Sequence, residues 1–286
     1  MYKIVEKRAL SKDIKLIGVE AGHVTFNAKA GNFIVVIPDE KGERIPLTIY
    51  DWDREKEILY MVFQEIGLST IKLGKLNEGE YIYAVAGPFG KHFHSGKFGN
   101  TVVVGGGVGV PAIFPIARQL RADGNKVTSI IGYRTKDLVV LENEMKTVSD
   151  SVIVATNDGS HGEKGLVTDV LQSMIDRGEK PDFVVAVGPV VMMKAVSELT
   201  KKYSIKTVVS LNAMMVDATG MCGGCRVTVG GETKFSCVDG PDFDGHLVDF
   251  NELTSRLSAY KDEEKHSFEH NCRLDNGIKE AADGRK

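Results

Sequence analysis

The strongest constraint on the fold is a regular alternation of short apolar strands and helical patterns after residue 100. TVVVGG runs into PAIFPIARQL, VTSIIGY into LENEMKTVSD, SVIVATND into GLVTDVLQSM and FVVAVGP into VVMMKAVSEL, and TVVSLN follows. Buried parallel strands are continuous apolar runs, and the crossovers between them are usually helices. The alternation therefore predicts a doubly wound parallel-sheet α/β domain over residues 99–212.

The first part of the chain has a different pattern. NFIVVIP, RIPLTIYDWD, EILYMVFQEI and YIYAVAG are short runs rich in Ile, Val, Tyr and Phe, and the turn-forming stretches DEKGE, DREKE, NEGE and GPFG separate them. Several short strands without long helical patterns predict an antiparallel β-barrel over residues 1–98. Residues 213–250 hold three cysteines in a small separate segment, and residues 251–286 are predicted to be a polar tail, either a solvated helix or partly disordered.

Composition narrows the functional classes. The 286 residues carry a net charge of −3 and are 42% hydrophobic, which is typical of a soluble chain long enough for two domains. No apolar run reaches the roughly 18 residues that a membrane span needs, and the N-terminus lacks an apolar signal core. A mildly acidic chain is also a poor nucleic-acid ligand. We therefore expect a cytoplasmic protein that binds neither membrane nor nucleic acid.

Glycine-rich turns follow two of the predicted parallel strands. Gly105-Gly106-Gly107-Val108-Gly109 precedes a helix that begins near Pro111, and Gly188-Pro189 opens another helix. Glycines let the backbone approach a pyrophosphate, and a helix N-terminus offers free N–H groups. One such turn alone could be an ordinary strand–helix connection. Two at the same edge of the sheet predict a nucleotide site, because ligands bind at that edge of open α/β sheets.

The cysteine spacing predicts a metal centre. The pattern is Asp217-x4-Cys222-x2-Cys225-x11-Cys237, and the last cysteine follows a predicted hairpin with a Gly-Gly turn. In a chain of this kind, cysteines indicate metal or redox chemistry rather than a disulfide scaffold. We predict a metal or iron–sulfur centre with the three cysteines as ligands. Asp217 is the candidate for the fourth ligand, since a carboxylate carries the same charge as a thiolate. A zinc site, and a cluster whose fourth ligand is His246 or water, remain alternatives.

A fourth cysteine lies near the C-terminus. Cys272 stands close to His266 and His270 in the sequence. It is either part of a second metal site or a free thiol.

The middle of the chain resembles the ferredoxin–NADP reductase superfamily. GGGVGVP and VGPVVMM match its phosphate-binding turn and its Gly-Pro-x-x-Met element near the nicotinamide. The resemblance implies a site for NAD(H), and IIGYRTKD adds an arginine where a 2′-phosphate of NADP could bind, although relatives that use NADH carry a similar arginine. The implied NAD(H) residues are Gly105, Gly106, Gly107, Gly109, Pro111, Arg134, Gly188, Pro189 and Met192.

The barrel carries looser matches to the flavin site of the same superfamily. RIPLT resembles its Arg-x-aromatic-Ser motif without the stacking aromatic, GLSTIKL resembles its Gly-x-x-Thr helix start, and GPFGK matches a turn that ends the barrel. The resemblance implies FAD. The implied FAD residues are Arg44, Pro46, Leu47, Thr48, Phe63, Gly67, Ser69 and Thr70.

The cysteine segment is similar to the 2Fe–2S segment of the dihydroorotate dehydrogenase electron-transfer subunit, with aspartate in place of the first cysteine. FAD, NAD(H) and 2Fe–2S sites in this order imply an electron-transfer subunit, because a flavin accepts a hydride and releases single electrons. We find no second substrate site in the sequence, so electrons must leave through the cluster to a partner.

KGERIPLTIYD, VDATGMCGGC and CVDGPDFDGHLVDF resemble the small-subunit family of NADH-dependent reduced ferredoxin:NADP oxidoreductases, which are electron-bifurcating enzymes. This resemblance implies an aspartate ligand at Asp217. It also implies a larger partner of the glutamate-synthase small-subunit type, with its own flavin, 4Fe–4S clusters and NADP(H) site, and ferredoxin as a substrate of the complex. The alternatives are a dihydroorotate dehydrogenase electron-transfer subunit and a non-catalytic redox sensor.

Overall fold

The computed structural model describes residues 1–260, 262–264 and 266. A curled, seven-stranded antiparallel sheet forms the N-terminal part, in the order β6-β1-β2-β5-β4-β3-β7. Its strands and two short helices are β1 (Tyr2–Ala9), β2 (Ile14–Glu20), α1 (Gly22–Asn27), β3 (Phe33–Ile37), β4 (Ile45–Asp53), β5 (Ile58–Gln64), α2 (Leu68–Lys75), β6 (Tyr81–Ile82) and β7 (Ala84–Phe89).

Alternating apolar residues close this sheet around its own core. On β5, Leu59, Met61 and Phe63 point inward and are buried, and Ile17 and Ile34 meet them from neighbouring strands. Side chains of a strand alternate between the two faces of its sheet, so the period-two pattern produces one apolar face per strand. The predicted antiparallel FAD-type barrel is confirmed as this curled half-barrel.

A second seven-stranded sheet follows, in the order β11-β10-β9-β8-β12-β13-β16. It is parallel except at the edge formed by β16 (Asp242–Asp244), which pairs antiparallel with its neighbour. Its elements are β8 (Asn100–Gly106), α3 (Val110–Ala122), β9 (Lys126–Tyr133), α4 (Glu142–Val148), β10 (Ser151–Thr156), β11 (Glu163–Lys164), α5 (Val167–Asp176), β12 (Phe183–Val187), α6 (Val190–Lys202) and β13 (Lys206–Ser210).

The central strand β8 lies between β9 and β12, whose connections leave to opposite sides of the sheet. Its successive valines point to opposite faces of the sheet. Val103 packs with α3 and α4 on one face, and Val102 and Val104 pack with α5 and α6 on the other. The predicted doubly wound sheet is therefore confirmed. Its topological switch point lies between β8 and β12, where such sheets bind ligands.

The two sheets share apolar packing. Tyr50 of β4 lies against Phe114 of α3 with ring centroids 4.9 Å apart, and Val62 of β5 joins the same buried cluster. In the connection between the sheets, Asn125 accepts hydrogen bonds from the backbone N–H groups of Phe98 and Gly99. These contacts hold the half-barrel against the α3 face of the parallel sheet.

The C-terminal segment forms a hairpin, an edge strand and a helix. These are β14 (Arg226–Val229), β15 (Glu232–Phe235), β16 (Asp242–Asp244) and α7 (Phe250–Leu257). Gly230 and Gly231 both have positive φ, as the predicted hairpin turn requires. β16 pairs antiparallel with β13, so the segment extends the parallel sheet rather than standing apart from it.

α7 crosses the boundary predicted at residue 251. Its residues Phe250 and Leu253 are buried, so this stretch packs on the core instead of beginning a solvated tail. The predicted domain boundaries otherwise stay predictions. Within the described part of the chain, no helix has the length and apolarity needed to cross a membrane.

Candidate functional site

The two glycine-rich turns predicted to bind NAD(H) meet at the switch point. Val187, the last residue of β12, lies opposite Gly105 of β8, which brings Gly188 beside Gly106. A methyl group on Gly188 would lie 2.8 Å from the end of the Met192 side chain and 3.1 Å from the Gly106 nitrogen. A side chain at Gly188 would therefore press on the backbone of the facing turn.

One glycine of the first turn faces open space. Gly107 has a positive φ of 54°, and a Cβ placed there would have no heavy atom within 4 Å. Gly109 and Pro111, by contrast, are buried at the start of α3. The turn thus presents backbone at Gly107 while its C-terminal end anchors the helix, and this arrangement suits a pyrophosphate at a helix start.

The same edge of the sheet also exposes apolar side chains. Val108, Leu166 and Val191 are exposed at the starts of helices that follow parallel strands. Pro189 is exposed as well, and Met192 is half-buried. An apolar rim next to free backbone N–H groups is suited to the planar ring and the phosphates of a dinucleotide.

Arg134 lies at this edge after β9, with its side chain exposed. A loop that the sequence analysis missed, residues 157–165, lies against it: Asp158 donates its backbone N–H to the Arg134 carbonyl oxygen at 3.4 Å, and Lys136 donates to the Ser160 hydroxyl at 2.8 Å. The hydrogen bonds from Ser160 lower the pKa of Asp158. The position of NDGSHGEKG just after a parallel strand was the signal that could have identified it.

The predicted flavin residues fall on two elements of the half-barrel. Pro46, Leu47 and Thr48 are half-buried on β4, with Thr48 paired to Phe33 of β3. The loop carrying Arg44 contacts the start of α2, where the Ser69 hydroxyl donates to Glu43 at 2.7 Å. The loop that carries Arg44 and the start of α2 are therefore neighbours.

Gly67 is the N-cap of α2, and the Thr70 hydroxyl accepts the Gly67 N–H at 3.0 Å. One detail differs from the expected flavin site. Phe63 is only 2% exposed and packs inside the half-barrel, because strand alternation turns it inward. Its ring therefore cannot contact a cofactor on the surface. The backbone N–H groups at the start of α2 and Arg44 stay the predicted phosphate ligands of this site.

The four predicted cluster ligands come together as two pairs. The Cys225 and Cys237 sulfurs are 3.1 Å apart and buried, and the Cys222 sulfur lies 3.3 Å from Asp217 Oδ1 at the surface. A plant-type C-x4-C-x2-C…C set supplies four ligands to a two-iron cluster, and two ligands per iron fit this pairing. Among the described residues, no three His, Cys, Asp or Glu side chains are grouped to hold one metal ion. Three thiols and a carboxylate arranged as two pairs are a donor set that fits a two-iron cluster.

The local electrostatics favour a charged ligand at the exposed pair. The Thr219 backbone N–H, which donates to Asp217 Oδ1 at 3.0 Å, is the main cause of the lowered pKa of Asp217. In the metal-free chain, burial and then the neighbouring Cys225 thiol raise the pKa of Cys237 to about 12. Metal binding would have to deprotonate this thiol, which is usual for a coordinating cysteine.

His246, the alternative fourth ligand, is engaged elsewhere. Its Nε2 lies 3.0 Å from the hydroxyl of Thr200, a buried residue of α6. Asp217, not His246, is the side chain next to Cys222. The second site suggested for Cys272 and His270 lies outside the described residues.

One apolar cluster borders all three candidate sites. It contains Phe33, which pairs with Thr48, Met193 of the helix that follows Gly188-Pro189, and Cys225 and Cys237. The cysteine segment also touches the half-barrel directly, because Lys91 donates its N–H to the Gly240 carbonyl oxygen at 2.6 Å. The flavin-type, nicotinamide-type and cysteine sites are thus neighbours around a shared core.

Comparison with known proteins identifies two of these regions. Residues 103–198 match the oxidoreductase NAD-binding domain, and residues 212–249 match the iron–sulfur cluster binding domain of dihydroorotate dehydrogenase B. The dihydroorotate dehydrogenase B (NAD(+)) electron transfer subunit homolog of Thermotoga maritima is 43% identical over 269 residues, covering 94% of this chain and 95% of that protein.

The chain belongs to the family of dihydroorotate dehydrogenase B electron-transfer subunits and their homologues.

Two further members resemble it over nearly their whole length. An uncharacterized protein of Clostridium beijerinckii, from the region 3′ of adh, is 45% identical over 272 residues. The alignment covers 92% of this chain and 92% of that protein. A solved chain from the NADH-dependent reduced ferredoxin-NADP oxidoreductase, studied for flavin-based electron bifurcation, is 42% identical with a TM-score of 0.90 and covers 95% of this chain and 98% of its own. The resemblance stated from the sequence is confirmed.

Because it belongs to this family of electron-transfer subunits, the chain is an oxidoreductase subunit. It carries an NAD-binding domain and an iron–sulfur cluster binding domain in the predicted order. The individual ligand and cofactor residues stay predictions.

Proposed function

We propose that this chain passes electrons between NAD(H) and a larger partner subunit, through FAD and a 2Fe–2S cluster, in a flavin-based electron-bifurcating NADH/ferredoxin/NADP oxidoreductase. The apolar cluster shared by Phe33, Met193 and the pair Cys225 and Cys237 carries the proposal. Elements that would hold three redox groups share one rigid core, and electron transfer needs such fixed neighbours. The full-length similarity to the bifurcating enzyme's chain supports the same function.

Each cofactor has a proposed set of protein groups. The Gly107 turn and the start of α3 would bind the NAD(H) pyrophosphate, with Pro189 and Met192 beside the nicotinamide. Thr48, Arg44 and the α2 N-terminus would hold FAD. Bound FAD supplies the conversion between hydride transfer and single-electron transfer. The residues of the chain bind, orient and shield these groups.

We infer that the dinucleotide is NAD(H). Asp158 is kept ionised by its hydrogen bonds from Ser160 and lies in the loop bonded to Arg134. A carboxylate there can accept a hydrogen bond from a ribose hydroxyl and would repel the 2′-phosphate of NADP. The Asp158 carboxylate therefore favours binding of NADH over NADPH, whereas Arg134 by itself does not distinguish the two coenzymes.

We also propose that the partner docks over the cluster. Val216, Met221 and Val238 flank the cluster ligands and are exposed, Met221 to 87%. Exposed apolar side chains grouped around a functional site are typical of a protein-binding surface. The proposed partner is the larger subunit of glutamate-synthase small-subunit type, with a second flavin, 4Fe–4S clusters and an NADP(H) site, and ferredoxin reacts through the complex.

A second candidate is the electron-transfer subunit of dihydroorotate dehydrogenase. The match of residues 212–249 to that enzyme's cluster domain favours it. Asp217 speaks against it, because the resemblance implies four cysteines there. A redox sensor without catalysis would require the NAD site to be idle.

The test uses the full chain, purified without oxygen from a host that also expresses the neighbouring genes. We expect FAD, two irons per chain, oxidation of NADH with ferricyanide, and a copurified flavin and 4Fe–4S subunit that reduces NADP⁺. Dihydroorotate-dependent reduction of NAD⁺ by the purified pair would instead establish the second candidate. Failure to oxidise NADH with FAD and iron in place would support the sensor.

A further inference from the structure

Two arginines bind the carbonyl oxygens of the glycine pair inside the ligand loop. Arg226 donates from Nη1 to the Gly223 oxygen at 3.2 Å, and Arg256 donates from Nη2 to the Gly224 oxygen at 3.0 Å. These glycines separate Cys222 from Cys225. Both peptide groups of the Gly223-Gly224-Cys225 stretch are therefore held from outside by a guanidinium.

Peptide geometry links these contacts to the sulfur ligands. In a planar trans peptide, the C=O and N–H groups point in opposite directions. The peptide whose oxygen accepts from Arg226 has its N–H on Gly224, and that N–H donates to the Cys222 sulfur at 3.4 Å. The next peptide joins Gly224 to Cys225, and its carbonyl oxygen accepts the hydrogen bond from Arg256. The N–H of Cys225 therefore points away from that arginine.

The two arginines reach the loop by different routes. Arg226 is exposed and only three residues along the chain from the oxygen that it binds. Arg256 is half-buried in the last turn of α7, 32 residues away, and it reaches Gly224 because Phe250 and Leu253 fix α7 on the core. The burial of Arg256 reduces the screening of its charge by solvent.

We propose that Arg256, assisted by Arg226, is a positioning residue that aims the peptide N–H groups of the CGGC loop at the cluster and raises its reduction potential. This inference depends on the proposed 2Fe–2S cluster at this site. A cluster on three thiolates and a carboxylate carries negative charge, which grows on reduction. Hydrogen bonds to sulfur and nearby positive charge stabilise the reduced form.

The experiment measures the potential of the cluster in the full chain by redox titration of its EPR signal. The variants are Arg256→Gln, which keeps a donor but removes the charge, Arg256→Lys, which keeps the charge but removes the planar fork, and Arg226→Gln. Arg177→Gln, at an exposed position after α5, is the matched control for charge. Iron and FAD per chain, and the visible circular dichroism spectrum, are measured on each.

We expect Arg256→Gln to lower the equilibrium constant for one-electron reduction of the cluster about tenfold. This corresponds to a fall of about 59 mV in the reduction potential of a one-electron couple. Arg226→Gln should cause a smaller fall, because exposed charges are screened. Arg256→Lys should recover part of the potential, and Arg177→Gln should leave it unchanged. If Arg256→Gln loses iron but keeps FAD and fold, and Arg256→Lys restores the iron, the positioning role is also supported.

Unchanged potentials and spectra in Arg256→Gln and Arg226→Gln would overturn the inference while leaving the cluster assignment intact. An equal shift in Arg177→Gln would overturn it as well, since the effect would then be one of net charge. A wild-type chain with FAD but no iron would refute the cluster itself. The failure of the inference and the failure of the proposed function are thus distinguishable.

Discussion

Asp217 is the residue whose chemistry most narrows the identity of the cluster. Its carboxylate lies 3.3 Å from the Cys222 sulfur and is held ionised by the Thr219 N–H. Replacing it with Ala should remove an iron ligand and cause loss of most of the cluster. Replacing it with Cys should retain the cluster with a shifted potential. Iron content and the EPR spectrum check both outcomes.

Thr219→Ala is a suitable comparison for the Asp217 variants. Its backbone N–H remains and continues to support the carboxylate, so the cluster should persist. Normal spectra and potentials in both Asp217 variants would show that this acid is not a ligand.

Asp158 should determine coenzyme preference. In Asp158→Ser the repulsion of the 2′-phosphate disappears, so the ratio of kcat/KM for NADPH to that for NADH should rise, by roughly several-fold for an exposed charge that solvent screens. Steady-state rates with ferricyanide measure the ratio. Asp137→Ser, which removes an exposed acid from the neighbouring turn, should leave it unchanged. A constant ratio in Asp158→Ser would place the discrimination elsewhere.

At the scale of elements, α7 is the part that the sequence described least well. Its sequence, FNELTSRL, has three apolar residues, Phe250, Leu253 and Leu257, and it directly precedes a strongly charged stretch. Their i, i+3 and i+7 spacing fits one helical face, but eight residues are a short window for that signal. Packing against α6 and β14 makes this helix part of the core.

The start of α7 offers a direct test of this packing. Asp249 Oδ1 accepts the N–H groups of Asn251 and Glu252, both at 3.0 Å, as an N-cap. Asp249→Ala should lower the free energy of unfolding by about 1 kcal/mol and Tm by about 2–4 °C. Differential scanning calorimetry of the full chain measures the change.

Asp249→Asn is the matched variant, because asparagine also caps helices well. It should keep most of the stability. Equal destabilisation by Asn and Ala would mean that the charge of Asp249, rather than its capping bonds, supports α7.

At the scale of the whole molecule, the junction between the half-barrel and the cysteine segment contains a buried carboxyl group. Both oxygens of the Asp242 carboxyl group are buried, and a Cβ on Gly31 of the half-barrel would lie 3.1 Å from one of them. Burial raises the pKa of Asp242 to about 7, against a smaller lowering by Ser210 on the paired strand.

This raised pKa predicts a pH dependence of stability. The folded chain binds the proton more tightly than the unfolded chain, so the contribution is fully favourable below about pH 4 and is lost as pH rises through 7. The penalty at higher pH is on the order of 4 kcal/mol. Asp242→Asn should therefore gain stability relative to the wild type as pH increases from 4 to 8.

Tm measured across that pH range tests the prediction. Asp244→Asn is the control, since Asp244 lies two residues along on the same strand with its side chain exposed. A constant difference in Tm between Asp242→Asn and the wild type at all pH values would show that Asp242 stays ionised in the folded chain.

Local patterns in the sequence were enough to predict the two sheets, the edge of the second sheet where a nucleotide would bind and the spacing of the proposed cluster ligands. These patterns are a period of two in the first sheet, continuous apolar runs in the second, glycines where strands end, and cysteines a few residues apart. Gly107, Gly188 and Cys222 could be proposed as site residues because each stands in such a short stretch of chain.

How distant stretches of the chain meet is visible only once the chain is folded. Folding joined β16 to β13, buried Asp242 against Gly31 and brought Arg256 to the Gly224 carbonyl oxygen. These contacts link residues that are tens to hundreds of positions apart in the chain. They depend on how the two sheets and α7 pack together, and no local periodicity or spacing encodes that packing.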